Sequence, residues 1–223
     1  GSMRRLRLAS AGALAFLLCV GAVARAEGTR EDNILAGIDV RQKLGTELPL
    51  DATFVDEGGK TVQLGEYFGK RPVIIAPVYY ECPMLCSLVL EGFVKALRPL
   101  GFRPGDEFDV VVVSFDPGEG PELAAKKEAK YLESYGDADT AGGWHFLTGT
   151  DAEIRRVTDA LGFQYVYDEQ RDEYAHAATI VVATPQGKIA KYFFGVEFST
   201  RDLRLGLVEA ASGIQVFADA PAT

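Results

Sequence analysis

Cys82 and Cys86 stand four positions apart in Tyr79-Tyr80-Glu81-Cys82-Pro83-Met84-Leu85-Cys86-Ser87. An apolar run, Val73 to Tyr80, precedes them, and helical spacing of apolar residues follows from Ser87 to Leu100. With Pro83 at the first helical position, cysteines four apart share one helix face. Their sulfurs then converge on one metal ion, or close a disulfide after small adjustment. A helix N-terminus favours anions and lowers thiol pKa values. Thiolate is the form that attacks disulfides and binds soft metals. The plain alternative is a structural disulfide in an exported protein. A loop this short gains little from closure, however, and a strand–helix junction suits a reactive pair. Met84 reads as a gap-filler in a buried position or as an auxiliary soft ligand.

Thioredoxin-type oxidoreductases carry two residues between their cysteines, where this chain has three. They also place a cis-proline opposite the pair, ahead of a later strand. No proline lies between Pro121 and Pro185 here. The place ahead of the strand Thr179 to Ala183 falls to His176, in Asp172-Glu173-Tyr174-Ala175-His176-Ala177-Ala178. Its bland reading is a polar surface loop. Two thiolates and an imidazole suit Cu(I), Cu(II) or Zn(II). Structural zinc wants four protein ligands, and the soft donors are few. His145, in Trp144-His145-Phe146, is expected at the margin of the fold rather than as a ligand. Three-coordinate Cu(I) is therefore preferred over zinc.

The positioning elements follow from periodicity. A hairpin is expected over 48–64, buried strands over 73–80 and 108–115, and helices over 87–100 and 121–135. Trp144 to Leu147 is a short strand, Asp151 caps a helix to Leu161, and 163–167 is extended. Thr179 to Ala183 and Ile189 to Phe194 flank Pro185-Gln186-Gly187 as a hairpin. A last helix runs from Thr200 to Ser212, ended by Gly213. Alternation of buried strands with helices gives an α/β fold. It is a thioredoxin-like central mixed sheet flanked by helices, with an N-terminal hairpin. One domain is expected over 45–213, after a lead-in over 27–44 and before a tail over 214–223.

Composition narrows the function classes. The 223 residues are 48% hydrophobic and 25% charged, with net charge -9, which fits a globular protein. An acidic surface repels phosphate backbones and argues against nucleic acid as a partner. Gly1-Ser2 ahead of Met3 reads as an expression scar. Arg4, Arg5 and Arg7, an apolar run from Leu8 to Val23, and Ala24-Arg25-Ala26 read as a cleaved signal peptide over residues 1–26. The rival reading is a retained anchor, although the run is short for a spanning helix. Without residues 1–26, 19 basic and 32 acidic residues remain, a net charge of -13. Such a surface favours partners with basic docking patches. The expected location is exported, periplasmic or extracytoplasmic. Contact with a membrane would come only through a partner or an uncleaved N-terminal segment, and a monomer is expected.

The chain resembles the SCO/SenC family of thioredoxin-fold copper proteins over roughly 45–213. The resemblance rests on Cys82-Pro83-Met84-Leu85-Cys86, then Val113-Ser114-Phe115-Asp116-Pro117. It continues through Trp144-His145-Phe146-Leu147-Thr148-Gly149, His176 before a strand, and Pro185-Gln186-Gly187. It implies one copper ion bound by Cys82, Cys86 and His176. It also implies delivery of copper, or of electrons, to the dinuclear copper site of cytochrome c oxidase or to another exported cuproprotein. Asp116 matches a family aspartate linked to Cu(II) binding or handover, with turn formation in Asp116-Pro117-Gly118 as the equal alternative. Met84, Ser87 and Ala177 depart from common family residues, which bears on the docking partner rather than on the ligands. A metallochaperone rather than an enzyme is expected. The alternative is a thiol-disulfide oxidoreductase, using Cys82 and Cys86 to keep a partner's copper-site cysteines reduced.

Overall fold

The computed structural model describes residues 37–213. The expected signal segment and C-terminal tail lie outside the described residues. In chain order the strands are β1 (Asp39–Val40), β2 (Thr53–Val55), β3 (Thr61–Gln63), β4 (Val73–Val78), β5 (Asp109–Ser114), β6 (Trp144–Leu147), β7 (Phe163–Asp168), β8 (Glu173–His176), β9 (Thr179–Ala183) and β10 (Ile189–Phe194). The α-helices are α1 (Leu85–Leu97), α2 (Pro121–Tyr135), α3 (Asp151–Ala160) and α4 (Thr200–Ala211).

Every residue of β4, β5 and β9 is buried. Such strands read as continuous apolar runs because both faces of the sheet are covered. β4 pairs in parallel with β5, and β5 with β6. β9 runs antiparallel to β4, and β10 antiparallel to β9. The result is a mixed five-stranded sheet in the order β10-β9-β4-β5-β6, as the alternation of buried runs predicts. β2 and β3 form the expected hairpin. Phe93, Phe108, Phe115, Tyr131, Trp144 and Phe146 are fully buried in the core.

Two strands were not legible in the pattern. β1, inside the expected lead-in, pairs with the start of β7 through Asp39–Gln164 and Val40–Phe163. β8 carries His176 at its end. The segment Tyr165–Ala175 groups into a unit of its own. Within it the Tyr174 ring packs on Tyr165 and Tyr167, with centroids 5.7 and 5.0 Å away.

Helix ends follow local chemistry. Thr150, not Asp151, is the N-cap of α3, its side chain accepting from the Glu153 N–H at 3.4 Å. Asp151 is instead the first helical residue, where its charge suits the helix dipole. Pro121 opens α2, and Gly136 ends it at φ 85°, a left-handed conformation that glycine adopts without penalty. α1 lies so close to the 196–197 backbone that a Cβ on Gly92 would stand 1.8 Å from the Val196 carbonyl oxygen.

Candidate metal centre

The end of β4 and the start of α1 hold the two cysteines. α1 begins at Leu85 with Met84 as its N-cap and no side-chain capping bond. Pro83 therefore precedes the helix, and Cys82 lies in the loop rather than on a shared helical face. The sulfurs converge by a different route. The Cys86 N–H donates to Cys82 Sγ at 3.2 Å. A thiolate sulfur thereby takes the place of a side-chain cap at an N-terminus that lacks one. The Tyr79 N–H donates to Cys86 Sγ at 3.3 Å. Both cysteines are free thiols and buried.

β8 delivers the third donor. His176 is 8% exposed, which overturns the bland expectation of a surface loop. Its ring lies among Phe115, Tyr79 and Phe163, with centroids 5.2, 5.9 and 6.2 Å away. Nδ1 lies 2.9 Å from the Ala177 carbonyl oxygen, which accepts only from a protonated nitrogen. That bond orients the ring and leaves Nε2 as the nitrogen that faces Cys86 and would ligate a metal. Nε2 lies 3.3 Å from Cys86 Sγ.

The donor atoms of Cys82, Cys86 and His176 all lie within 4.8 Å of one another. Three ligands ~2.0–2.3 Å from one ion stand roughly 3.5–4 Å apart in a trigonal arrangement. Modest side-chain movement would thus bring the three atoms onto a single ion. Among the described residues this is the one group of its kind. Asp116 is not in it: Asp116 Oδ1 accepts from the Gly118 N–H at 2.8 Å, which closes a turn. His145 is also outside it, stacked on Tyr67 with centroids 4.2 Å apart. Met84 is 66% exposed, so the expectation of a buried gap-filler is incorrect. As the residue just before α1 it has no core to fill.

The two thiols differ electrostatically, where the sequence suggested that the helix end would acidify both. The hydrogen bond from Cys86 holds Cys82 well below the ordinary thiol range, against the opposing effect of burial. His176 and the N–H groups of Cys86 and Met84 act in the same direction. Cys86 moves the other way, because burial disfavours its charged form and the Cys82 thiolate adds to that. One thiolate is ready at neutral pH, and the second proton leaves when a cation compensates the charge.

Residues 43–206 match the SCO1/SenC family. The chain belongs to the SCO1/SenC family. A SCO1 protein homolog of Bacillus subtilis is 26% identical to this family member over 170 residues, 73% of this chain and 82% of that protein. A solved structure from Aquifex aeolicus, provisionally named an electron transfer protein, is 28% identical, with a TM-score of 0.67 over 76% of this chain and 95% of its own. The copper-bound structure of Bradyrhizobium japonicum ScoI is 23% identical, with a TM-score of 0.55 over 75% of this chain and 99% of its own. This last likeness speaks to the fold, which is the thioredoxin-like one of the SCO1/SenC proteins.

Sequence reasoning missed the groups around the ligands. Phe115 and Phe163 line His176, and Glu119 binds the loop ahead of Cys82. The sequence signal for Glu119 was only its place in a Gly-rich turn. No helix among the described residues is long and apolar enough to cross a membrane.

Proposed function

We propose that this protein is an exported copper metallochaperone that takes up one copper ion through Cys82, Cys86 and His176. Its recipient is the dinuclear copper site of cytochrome c oxidase. The observation that carries the reading is the buried group of two sulfurs and one imidazole nitrogen within 4.8 Å. Copper is the cargo, and its chemistry fits the donors. Two sulfurs and a neutral imidazole suit soft Cu(I), while three protein ligands fall short of a closed structural zinc site. The copper held by the Bradyrhizobium japonicum ScoI structure supports the same choice. Asp116, in the turn after β5, is proposed to act at handover rather than as a resident ligand.

Anaerobic titration of the reduced protein with Cu(I) tests this reading. One ion per chain is expected, with zinc failing to displace it. His176→Ala should weaken Cu(I) binding by about tenfold or more, by loss of one ligand. Unchanged affinity in that variant would sink the three-ligand site.

A second reading is supported by the acidified Cys82 beside the thiol of Cys86. Such a pair suits reduction of a partner's disulfide. That activity needs both cysteines and not His176. A reductase assay on His176→Ala separates the two readings: retained reduction with lost copper affinity assigns the histidine to metal alone.

A further inference from the structure

Consecutive backbone N–H groups ahead of Cys82 are all aimed at acceptors. The Tyr79 N–H donates to Cys86 Sγ at 3.3 Å. The next two donate to one carboxylate: Tyr80 N–H to Glu119 Oε2 and Glu81 N–H to Glu119 Oε1, both at 2.7 Å. The Cys82 N–H then turns back to the Tyr79 carbonyl oxygen at 3.3 Å. Glu119 is 9% exposed, and the Ser114 hydroxyl donates to the same Oε2 at 2.5 Å. Among the described residues its partners are hydrogen-bond donors rather than cations. A buried carboxylate is costly unless its oxygens are satisfied, and here both are satisfied by the ligand loop.

The geometry points to Glu119 as a positioning residue of the metal centre, whose carboxylate fixes the Tyr80 and Glu81 amides and so sets the place of Cys82 Sγ. This deepens the copper reading of the same site and rests on it. The Tyr80 ring is already anchored, because its hydroxyl donates to the carbonyls of Val112 and Leu147 at 3.2 and 2.9 Å. With its ring held by the sheet and its N–H held by Glu119, Tyr80 has one orientation. That orientation aims the preceding N–H of Tyr79 at Cys86. Two acceptor oxygens are required, one for each N–H. Glutamine supplies one oxygen and an NH2 group that cannot accept.

Glu119→Gln in the full chain tests the assignment with three measurements. The amides of Tyr80 and Glu81 should exchange slowly with solvent in the parent protein. At least one should exchange roughly tenfold faster or more in the variant, with the amides of Val111 and Val181 unchanged. Cu(I) affinity, read by competition with bathocuproine disulfonate, should fall by about tenfold to a hundredfold.

The third measurement is the midpoint potential of the Cys82–Cys86 pair in dithiothreitol buffers. There the two thiols lose two protons and two electrons to oxidised dithiothreitol, which becomes the dithiol as the sulfurs bond. The N–H bonds to sulfur stabilise the reduced pair. Loosening them should shift the equilibrium about tenfold toward the disulfide, or ~30 mV more negative.

Unchanged exchange at both amides overturns the clamp. Faster exchange with unchanged affinity and potential overturns the positioning role. Failure of the parent protein to bind copper would overturn the proposed function instead, while exchange and potential still report on Glu119. Should the variant not fold, Glu119→Asp is read in its place. It keeps both acceptor oxygens but draws them back by one methylene, so exchange at Tyr80 or Glu81 faster than in the parent supports the clamp, and parental exchange at both overturns it.

Discussion

Cys86 Sγ and His176 Nε2 lie 3.3 Å apart although 90 residues of chain separate them. Each comes from the margin of a different element, α1 for the cysteine and the end of β8 for the histidine. Phe115 is fully buried at the end of β5 and packs against the imidazole at a centroid distance of 5.2 Å. Removing that wall should loosen the histidine as well as the core. Phe115→Ala is expected to cost about 3–5 kcal/mol of stability, through lost burial and an unfilled cavity. Urea denaturation of the metal-free protein measures this.

The acidity of Cys82 predicts an unusual pH profile. Its pKa in the folded state is depressed, so it remains a thiolate as pH falls below the ordinary thiol value. Alkylation of an ordinary thiol slows about tenfold per pH unit below ~8.5. In the folded, reduced protein, iodoacetamide should label Cys82 at a nearly constant rate from pH 8 to pH 6. Cys86, whose pKa is raised, should stay unlabelled over that range. Mass spectrometry of quenched samples reads both sites, and a steep fall in labelling at Cys82 would contradict the assignment.

Glu128 predicts a pH-dependent change in stability. Its pKa is raised to about 7 by burial, with Glu57 and Asp56 adding repulsion. The folded state thus keeps a proton that the unfolded state releases near the ordinary carboxyl value. Stability from this group is present at low pH and lost as pH rises through about 7. Glu128→Gln should therefore stabilise the protein at pH 8 by about 1 kcal/mol, after allowance for solvent screening of a half-exposed group. It should change little at pH 4. Thermal unfolding of both proteins at the two pH values provides the comparison.

Met84 predicts the opposite of a core residue. It is mostly exposed, so Met84→Leu should change stability by no more than about 0.5 kcal/mol. A buried gap-filler would show a larger loss. Chemical denaturation is sufficient to distinguish the two.

Gly92 lies where α1 meets the backbone before α4. A Cβ there would overlap the Val196 carbonyl oxygen at 1.8 Å, and backbone cannot give way as a side chain can. Gly92→Ala should destabilise the protein by about 1–3 kcal/mol, although alanine is the better helix former. A neutral or stabilising result in urea would show that α1 can move away from this contact.

Much of the fold was legible in the residue pattern. The continuous apolar runs of β4, β5 and β9 are visible because burial on both faces excludes polar residues from neighbouring positions. The helical spacing of α1 and the glycine after α2 are equally local signals. β1 escaped because two residues are too few to show a period, and its pairing is decided by Phe163 and Gln164, far along the chain. The chain also disclosed its soft donors, since cysteine and histidine are scarce and Cys82, Cys86 and His176 stand at element boundaries.

Tertiary structure decided what those donors are like. Cys82 lies outside the helix because α1 begins only at Leu85, and its sulfur meets the Cys86 N–H. The two thiols diverge in acidity because burial and hydrogen bonding depend on neighbours that no spacing rule reveals. Folding alone placed the Glu119 carboxylate beneath the backbone of Tyr80 and Glu81. Residue types record which chemistry is available, whereas desolvation and hydrogen-bond partners arise from segments that meet only when the sheet closes.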